Sequence, residues 1–452
     1  MQLQTRRSLK SADIRTLSLA SLGGMLEFYD FVIFVFFTGV IGKLFFPSDL
    51  PDWLRQLQVF GIFAAGYFAR PLGGVIMAHL GDLHGRKRMF TLSVLMMAIP
   101  TLLIGVLPTY ASIGIAAPLL LLVMRLIQGA AIGGEAPGGW VFVAEHAPPG
   151  HQGFAVALLT CGLCFGLLLG SLVATLFNLL LTPAQIAGGL WRLPFLLGGV
   201  FGLGAMVLRR RLTETPVFEA MRQRAAMSRE LPLRTVVRAH GGAVMLAMVN
   251  TWMLTAGIVV VILMTPALLQ KSFGLTAHDT LLANLAGTAA LCGSVVIVGK
   301  LVDRFGVRPL AVLMGVLLIA ATYALYLGAA WMPKALIPLY ALAGAATGAV
   351  ALTPIVMARS FPASVRFTGF SLSYNLAYAV LGGLTPLIVI WLIQFDRLAP
   401  AHYMAFVTVI GIAAVLRSPV AREDWPGSSS QRDDRTPEHA GSQDAPIVRG
   451  PQ

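Results

Sequence analysis

Residues Gly81-Asp82-Leu83-His84-Gly85-Arg86-Lys87-Arg88 and Gly299-Lys300-Leu301-Val302-Asp303-Arg304-Phe305-Gly306-Val307-Arg308 are two versions of one short pattern. Each sets an acid, a glycine three residues later, and basic side chains between two long apolar runs. The glycine permits a tight turn at positive φ, and the aspartate can cap a helix end or pair with a base. One copy would mean little, because polar turns are commonly rich in Asp and Gly. Two copies at equivalent places in two halves of the chain point to an internally duplicated membrane architecture.

Working outward from these turns, apolar runs fall at 18–40, 57–80, 89–107, 117–143, 153–180 and 190–208, then at 241–268, 281–301, 309–329, 334–358, 367–393 and 402–416. A helix crossing the hydrocarbon needs about 20 apolar residues. The sequence therefore predicts an all-α polytopic membrane protein of about 12 transmembrane helices in two pseudo-symmetric six-helix bundles. Its expected divisions are a terminal segment 1–17, a first bundle 18–208, a basic linker 209–240, a second bundle 241–417 and a disordered tail 418–452. The tail is polar and rich in Pro, Gly and Ser, with too little apolar surface to order itself.

Composition agrees. Of the 452 residues 57% are hydrophobic and 12% charged, against roughly 25% charged in soluble domains, and the mean hydropathy is +0.78. The net charge of +13 sits in short loops, not in a nucleic-acid groove interleaved with aromatics. Arg86, Lys87 and Arg88 follow the second run, Arg209 to Arg211 the sixth, Arg304 and Arg308 the eighth, and Arg359 and Arg366 the tenth. The intervening loops nearly cancel, as Lys43 and Arg55 do with Asp49 and Asp52, or Lys271 with Asp279. That alternation places both termini in the cytoplasm of a multi-pass inner-membrane protein. The first run is too long for a signal-peptide core and reads as an uncleaved span. Cys161, Cys164 and Cys292 lie in apolar runs without a second ligand pair, so no metal, cofactor or disulfide framework is expected. Without HExxH, GxSxG or a nucleotide loop, an enzyme is not expected either.

The paired turns resemble the loop motif of the major facilitator superfamily. That resemblance implies a cytoplasmic gate at Gly81, Asp82, Gly85, Arg86, Lys87 and Arg88, and at Asp303, Arg304, Gly306 and Arg308. Leu83 and Ala78 depart from the usual first copy, where a base and a glycine are common. Further segments narrow the branch: Leu26-Glu27-Phe28-Tyr29-Asp30-Phe31, Ala69-Arg70-Pro71-Leu72-Gly73-Gly74, Arg125-Leu126-Ile127-Gln128-Gly129, Gly133-Gly134-Glu135, Trp191-Arg192-Leu193-Pro194-Phe195, and Arg209-Arg210-Arg211-Leu212-Thr213-Glu214-Thr215-Pro216. With Thr368-Gly369 and Tyr374-Asn375-Leu376, these resemble the metabolite:proton symporter family over about residues 18–416. Its members move α-ketoglutarate, citrate, shikimate, or proline and betaine. Arg359 stands where that family usually has an acid, and Gly162, Gly166 and Gly170 read as a close helix-packing face.

Five ionisable residues fall well inside expected spans: Glu27, Asp30, Arg70, Arg125 and Glu135. A central charge costs about 2.5–3.5 kcal/mol on insertion scales, so five facing lipid would rival a domain's whole stability. They must face a wet cavity or one another. Glu27 and Asp30, at i and i+3, share a helix face, and two desolvated carboxylates that close raise at least one pKa. They are the expected proton-coupling pair. Arg70 and Arg125 are expected at the cavity, with Glu135 nearer the cytoplasm and Tyr29, Asn250, Tyr374, Asn375 and Tyr378 as candidate wall residues. Structural ion pairing and interhelical hydrogen bonding are the competing readings of all of them.

The function this implies is proton-coupled uptake of a small organic acid or zwitterion by a monomer in the lipid bilayer. An exporter or proton antiporter on the same scaffold, and a non-transporting ligand sensor, remain alternatives.

Overall fold

The computed structural model describes residues 9–209 and 232–418. The expected tail and most of the basic linker lie outside the described residues. Twelve long helical segments run in chain order through them: α1 Ser11–Phe36, α2 Asp52–His84, α3 Arg86–Val106, α4 Ala116–His146, α5 Gln152–Leu180 and α6 Arg192–Arg209. The second set is α7 Gly241–Phe273, α8 His278–Phe305, α9 Val307–Trp331, α10 Pro333–Ser360, α11 Ala363–Leu392 and α12 Ala399–Arg417. Among the described residues, 10 helices are long and apolar enough to cross a membrane. The outer surface is apolar, with Phe68, Leu72, Val200, Val316, Leu387 and Phe406 all exposed, as lipid contact requires.

Small residues set the helix spacing. On α2 and α4 a Cβ added to Gly129 would lie 1.9 Å from the Gly66 carbonyl oxygen. On α8 and α10 a Cβ on Gly344 would lie 1.9 Å from the Gly287 carbonyl oxygen. Gly66 precedes Asp82 by the same interval as Gly287 precedes Asp303, so the duplication read from the turns extends into the packed interior. The expected glycine face of α5 packs on α1, where Gly162 meets Ser21 and Gly166 meets Met25. The two turn glycines adopt positive φ, 113° at Gly85 and 85° at Gly306.

Three helices of the second half are wound irregularly for one reason. Wider turns occupy Gly257–Met264 of α7 and Tyr378–Gly382 of α11, and a tighter one Gly348–Ala351 of α10. Pro266, Pro386 and Pro354 follow these stretches, and each removes the N–H that would bond the carbonyl four residues earlier. Side chains take up the slack in α7. The Thr265 hydroxyl donates to the Val260 carbonyl at 2.7 Å and the Tyr340 hydroxyl to the Val261 carbonyl at 2.6 Å.

The halves meet along two antiparallel seams, α2 with α11 and α5 with α8. Both are tight at the end that carries the Asp–Gly turns, called the motif end below.

Candidate functional site

The sequence pattern leaves Asp30 and Arg125 as buried charges on different helices, and the fold brings them together. Asp30 on α1 and Arg125 on α4 are each 3% exposed. Arg125 Nη1 stands 3.4 Å from Asp30 Oδ2. Two neutral side chains complete the cluster. Thr101 on α3 donates to Asp30 Oδ1 at 2.9 Å, and Gln128 Nε2 donates to Asp30 Oδ2 at 2.8 Å. Gln128 Oε1 accepts from Arg125 Nη1 at 2.9 Å, and the Phe34 ring lies 4.1 Å from the guanidinium carbon. The carboxylate thus has donors on both oxygens, which a buried charge needs.

Arg70 lies on α2 at the seam with α11. Its guanidinium carbon is 4.6 Å from the Tyr378 ring centroid, 5.5 Å from Tyr67 and 5.8 Å from Tyr374. Aromatic faces hold a cation without competing for its N–H groups. Tyr67 is also within electrostatic range of Arg125, so one phenol neighbours both the cage and the Asp30–Arg125 pair. Behind Tyr374, Trp140 packs edge-on at 5.2 Å and stacks on Phe370 at 5.6 Å. The Trp140 indole is fixed by its bond to Thr160, 2.9 Å.

At the motif end each turn aspartate reaches into the other half. Asp82 accepts from the backbone N–H of Thr368 at 2.9 Å and its hydroxyl at 2.8 Å, at the start of α11. Asp303 accepts from the N–H groups of Gly153 at 2.7 Å and Phe154 at 2.8 Å, in the first turn of α5. These N–H groups have no partner within their own helix, and an anion there also meets the positive end of the helix dipole. Between them Arg366 Nη1 pairs with Glu145 Oε1 at 2.7 Å, with side chains 1% and 0% exposed. The seams are closed at this end in the structure.

A model of the Major Facilitator Superfamily matches residues 20–386. The chain belongs to that superfamily. This facilitator is 33% identical over 402 residues to the citrate-proton symporter of Klebsiella pneumoniae, covering 87% of this chain and 88% of that one. It is 30% identical over 406 residues to a putative proline/betaine transporter of Staphylococcus aureus (strain COL), covering 89% and 87%. These relatives place it in the metabolite:proton symporter family, and it is a secondary transporter. Its fold is shared with the proton:xylose symporter XylE, at a TM-score of 0.73, 17% identity and coverage of 90% and 95%. FucP in the outward conformation gives 0.66, at 14% identity and coverage of 90% and 99%.

The structure of this facilitator sorts the expected residues. Asp30 joins Arg125, and Arg70 joins Tyr374 and Tyr378. The Glu27 side chain, like that of Arg86, lies outside the described residues. Tyr29 turns into the first bundle, donating to the Pro194 carbonyl at 3.0 Å. Asn375 Nδ2 donates to the Gly133 carbonyl at 2.7 Å, tying α11 to α4, and Asn250 Nδ2 bonds the Leu246 carbonyl of its own helix at 2.9 Å. Glu135 accepts from Ser93 of α3. Arg308 holds the end of α12 through the carbonyls of Leu416 and Ser418, and Arg304 lies against Phe305. Lys87 and Arg88 open α3, with Arg88 exposed. Sequence reasoning missed Tyr67, Thr101, Gln128 and Glu145. Gln128 was recoverable, since Arg125 and Gln128 at i and i+3 share a face; the others needed the packing.

Proposed function

We propose that this facilitator is a proton-driven symporter of small carboxylates or zwitterions, in which the Asp30–Arg125 pair couples the proton. The observation that carries the reading is the fully buried cluster Asp30, Thr101, Gln128 and Arg125, spread over α1, α3 and α4. With Asp30 ionised, Arg125 is neutralised and the three helices are tied. A proton on Asp30 leaves Arg125 as an uncompensated charge in a low-dielectric interior, which costs several kcal/mol. A substrate carboxylate reaching Arg125 or Arg70, or a movement of α4 against α1, relieves that cost. Proton and anion are thereby favoured together.

The tyrosine cage around Arg70 fits the substrate class. Its guanidinium, held among the faces of Tyr67, Tyr374 and Tyr378, is a cation suited to pair with a substrate carboxylate. Citrate, proline and betaine, the molecules in the relatives' names, all carry a carboxylate. The basic loops support a motif end and both termini in the cytoplasm, at the inner membrane. The transporter works as a monomer, rocking one bundle against the other about the central site.

The test is uptake into proteoliposomes of labelled citrate, proline and glycine betaine under an inward proton gradient. Accumulation of at least one, abolished by an uncoupler, supports symport. Exchange without accumulation, or accumulation indifferent to the gradient, overturns it.

A further inference from the structure

A small cavity lies inside the first bundle, away from the seam with α11. It is lined by Asp30 of α1, Val94, Met97, Ala98 and Thr101 of α3, Glu135 of α4, and Gly198 and Gly202 of α6. Asp30 and Glu135 therefore open onto one space, with room for about one water molecule. Each acid is anchored by a hydroxyl of the same helix, Asp30 by Thr101 and Glu135 by Ser93. Those anchors lie eight residues apart on α3, roughly 12 Å along its axis. Glu135 is the member nearer the motif end, ten residues beyond Arg125 and ten before Glu145.

A carboxylate 1% exposed among Ser93, Val94 and two glycines has no packing reason to be an acid. The neighbouring charges are Asp30 and Arg125 at the far end of the cavity and Arg70 on α2, whose head is held by the tyrosines. On α11, the Ser371 and Asn375 side chains bond the Gly133 carbonyl. Glu135 and Asp30 line the same cavity.

We propose that Glu135 is the second proton carrier of this transporter, taking the proton that Asp30 releases through a water path inside the first bundle, separate from the substrate path. The idea rests on the symport reading above. The Asp30 carboxyl O–H passes its proton to water, that water passes one to the Glu135 carboxylate, and Asp30, again an anion, re-forms its pair with Arg125. Bridging the anchors takes more than one water, so conduction needs a slight parting of α3 from α6. The small residues Ala98, Gly198 and Gly202 line the interface at the cavity, and a Cβ on Gly202 would already meet Ala98 at 2.5 Å. The same narrowness keeps protons from leaking when the helices are closed.

Two measurements test this on the full chain. Infrared difference spectra between acid and alkaline pH, recorded without substrate, should contain two protonated-carboxyl bands, one removed by Asp30→Asn and the other by Glu135→Gln. In proteoliposomes Glu135→Gln should slow gradient-driven uptake by about tenfold or more, while counterflow of the same labelled substrate continues. Val94→Leu, which fills the cavity and leaves both acids in place, should slow gradient-driven uptake in the same way. A Glu135 band absent from the spectra, or equal losses of counterflow and driven uptake in both variants, overturns the relay. Absence of any proton-driven uptake by the unaltered protein overturns the symport reading instead, and the infrared result then still decides whether Glu135 takes up a proton, without which the relay fails.

Discussion

Asp303→Asn isolates the electrostatic part of the motif-end seam without changing its shape. In the structure each Asp303 oxygen accepts one N–H from the first turn of α5, at 2.7 and 2.8 Å. Asparagine keeps one acceptor and presents an NH2 group to the other N–H. One charge-assisted bond is lost, about 1.5–3 kcal/mol, together with about 0.3–1 kcal/mol of charge–dipole attraction. Arg359 and His151 face Asp303 as well, so the variant also leaves positive charge less well balanced. These contacts exist only while the α5–α8 seam is closed, so the loss falls on the closed state. About 2–4 kcal/mol corresponds to a shift of about 30- to 1000-fold in the closed-to-open ratio. Spin labels at Pro149→Cys and Phe305→Cys, on either side of the seam and in a background lacking Cys161, Cys164 and Cys292, report it as a distance distribution. The long-distance population should rise in Asp303→Asn, and in Asp82→Asn by the same logic through Thr368. Distributions that overlay the parent protein would refute the claim that these aspartates hold the seam shut.

Three further outcomes follow from the same geometry. Asp30→Asn should abolish the dependence of uptake on the proton gradient while counterflow persists, read by comparing the two assays; uptake that stays proton-driven counts against the coupling pair. Glu145→Ala should destabilise the detergent-solubilised protein by about 3–5 kcal/mol, because Arg366 remains buried without its partner. The double variant with Arg366→Met should recover much of that loss, and strictly additive thermal shifts would show the pair to be unimportant. Outside the membrane, the Leu398 N–H and then His402 hold the Asp396 carboxyl below its ordinary pKa. Its folded-state pKa is lowered, so the stabilisation is present above the usual carboxylate range of about pH 4 and is lost as pH falls through the lowered value. The effect is small because the group is exposed. The gap in unfolding temperature between the protein and Asp396→Asn should narrow only at that acid end; a gap that instead closes near neutral pH would contradict the assignment.

Much of the architecture was legible in the chain itself. Twelve apolar runs, a second Asp–Gly–Arg turn and basic loops in alternation are local properties, because hydrocarbon forces each span to satisfy its own backbone. The turn glycines and the Gly162–Gly166 face were readable for the same reason: positive φ and close approach admit little else. A buried charge also announces itself in sequence, since it is too costly to be idle, and that singled out Glu27, Asp30, Arg70, Arg125 and Glu135, the last four of which the structure buries.

Which charge meets which was decided only by the tertiary structure. Asp30 finds Arg125 ninety-five residues away, and nothing in either segment names the other, because side chains on separate helices meet through the helix crossings. Thr101 and Ser93 look like ordinary hydroxyls of an apolar helix until α3 turns them toward Asp30 and Glu135. Asn375, an expected wall residue, bonds the Gly133 carbonyl, where a residue lacking a side chain lets another helix come close. Sequence sets what each helix must bury; the rotation and spacing of packed helices decide with what.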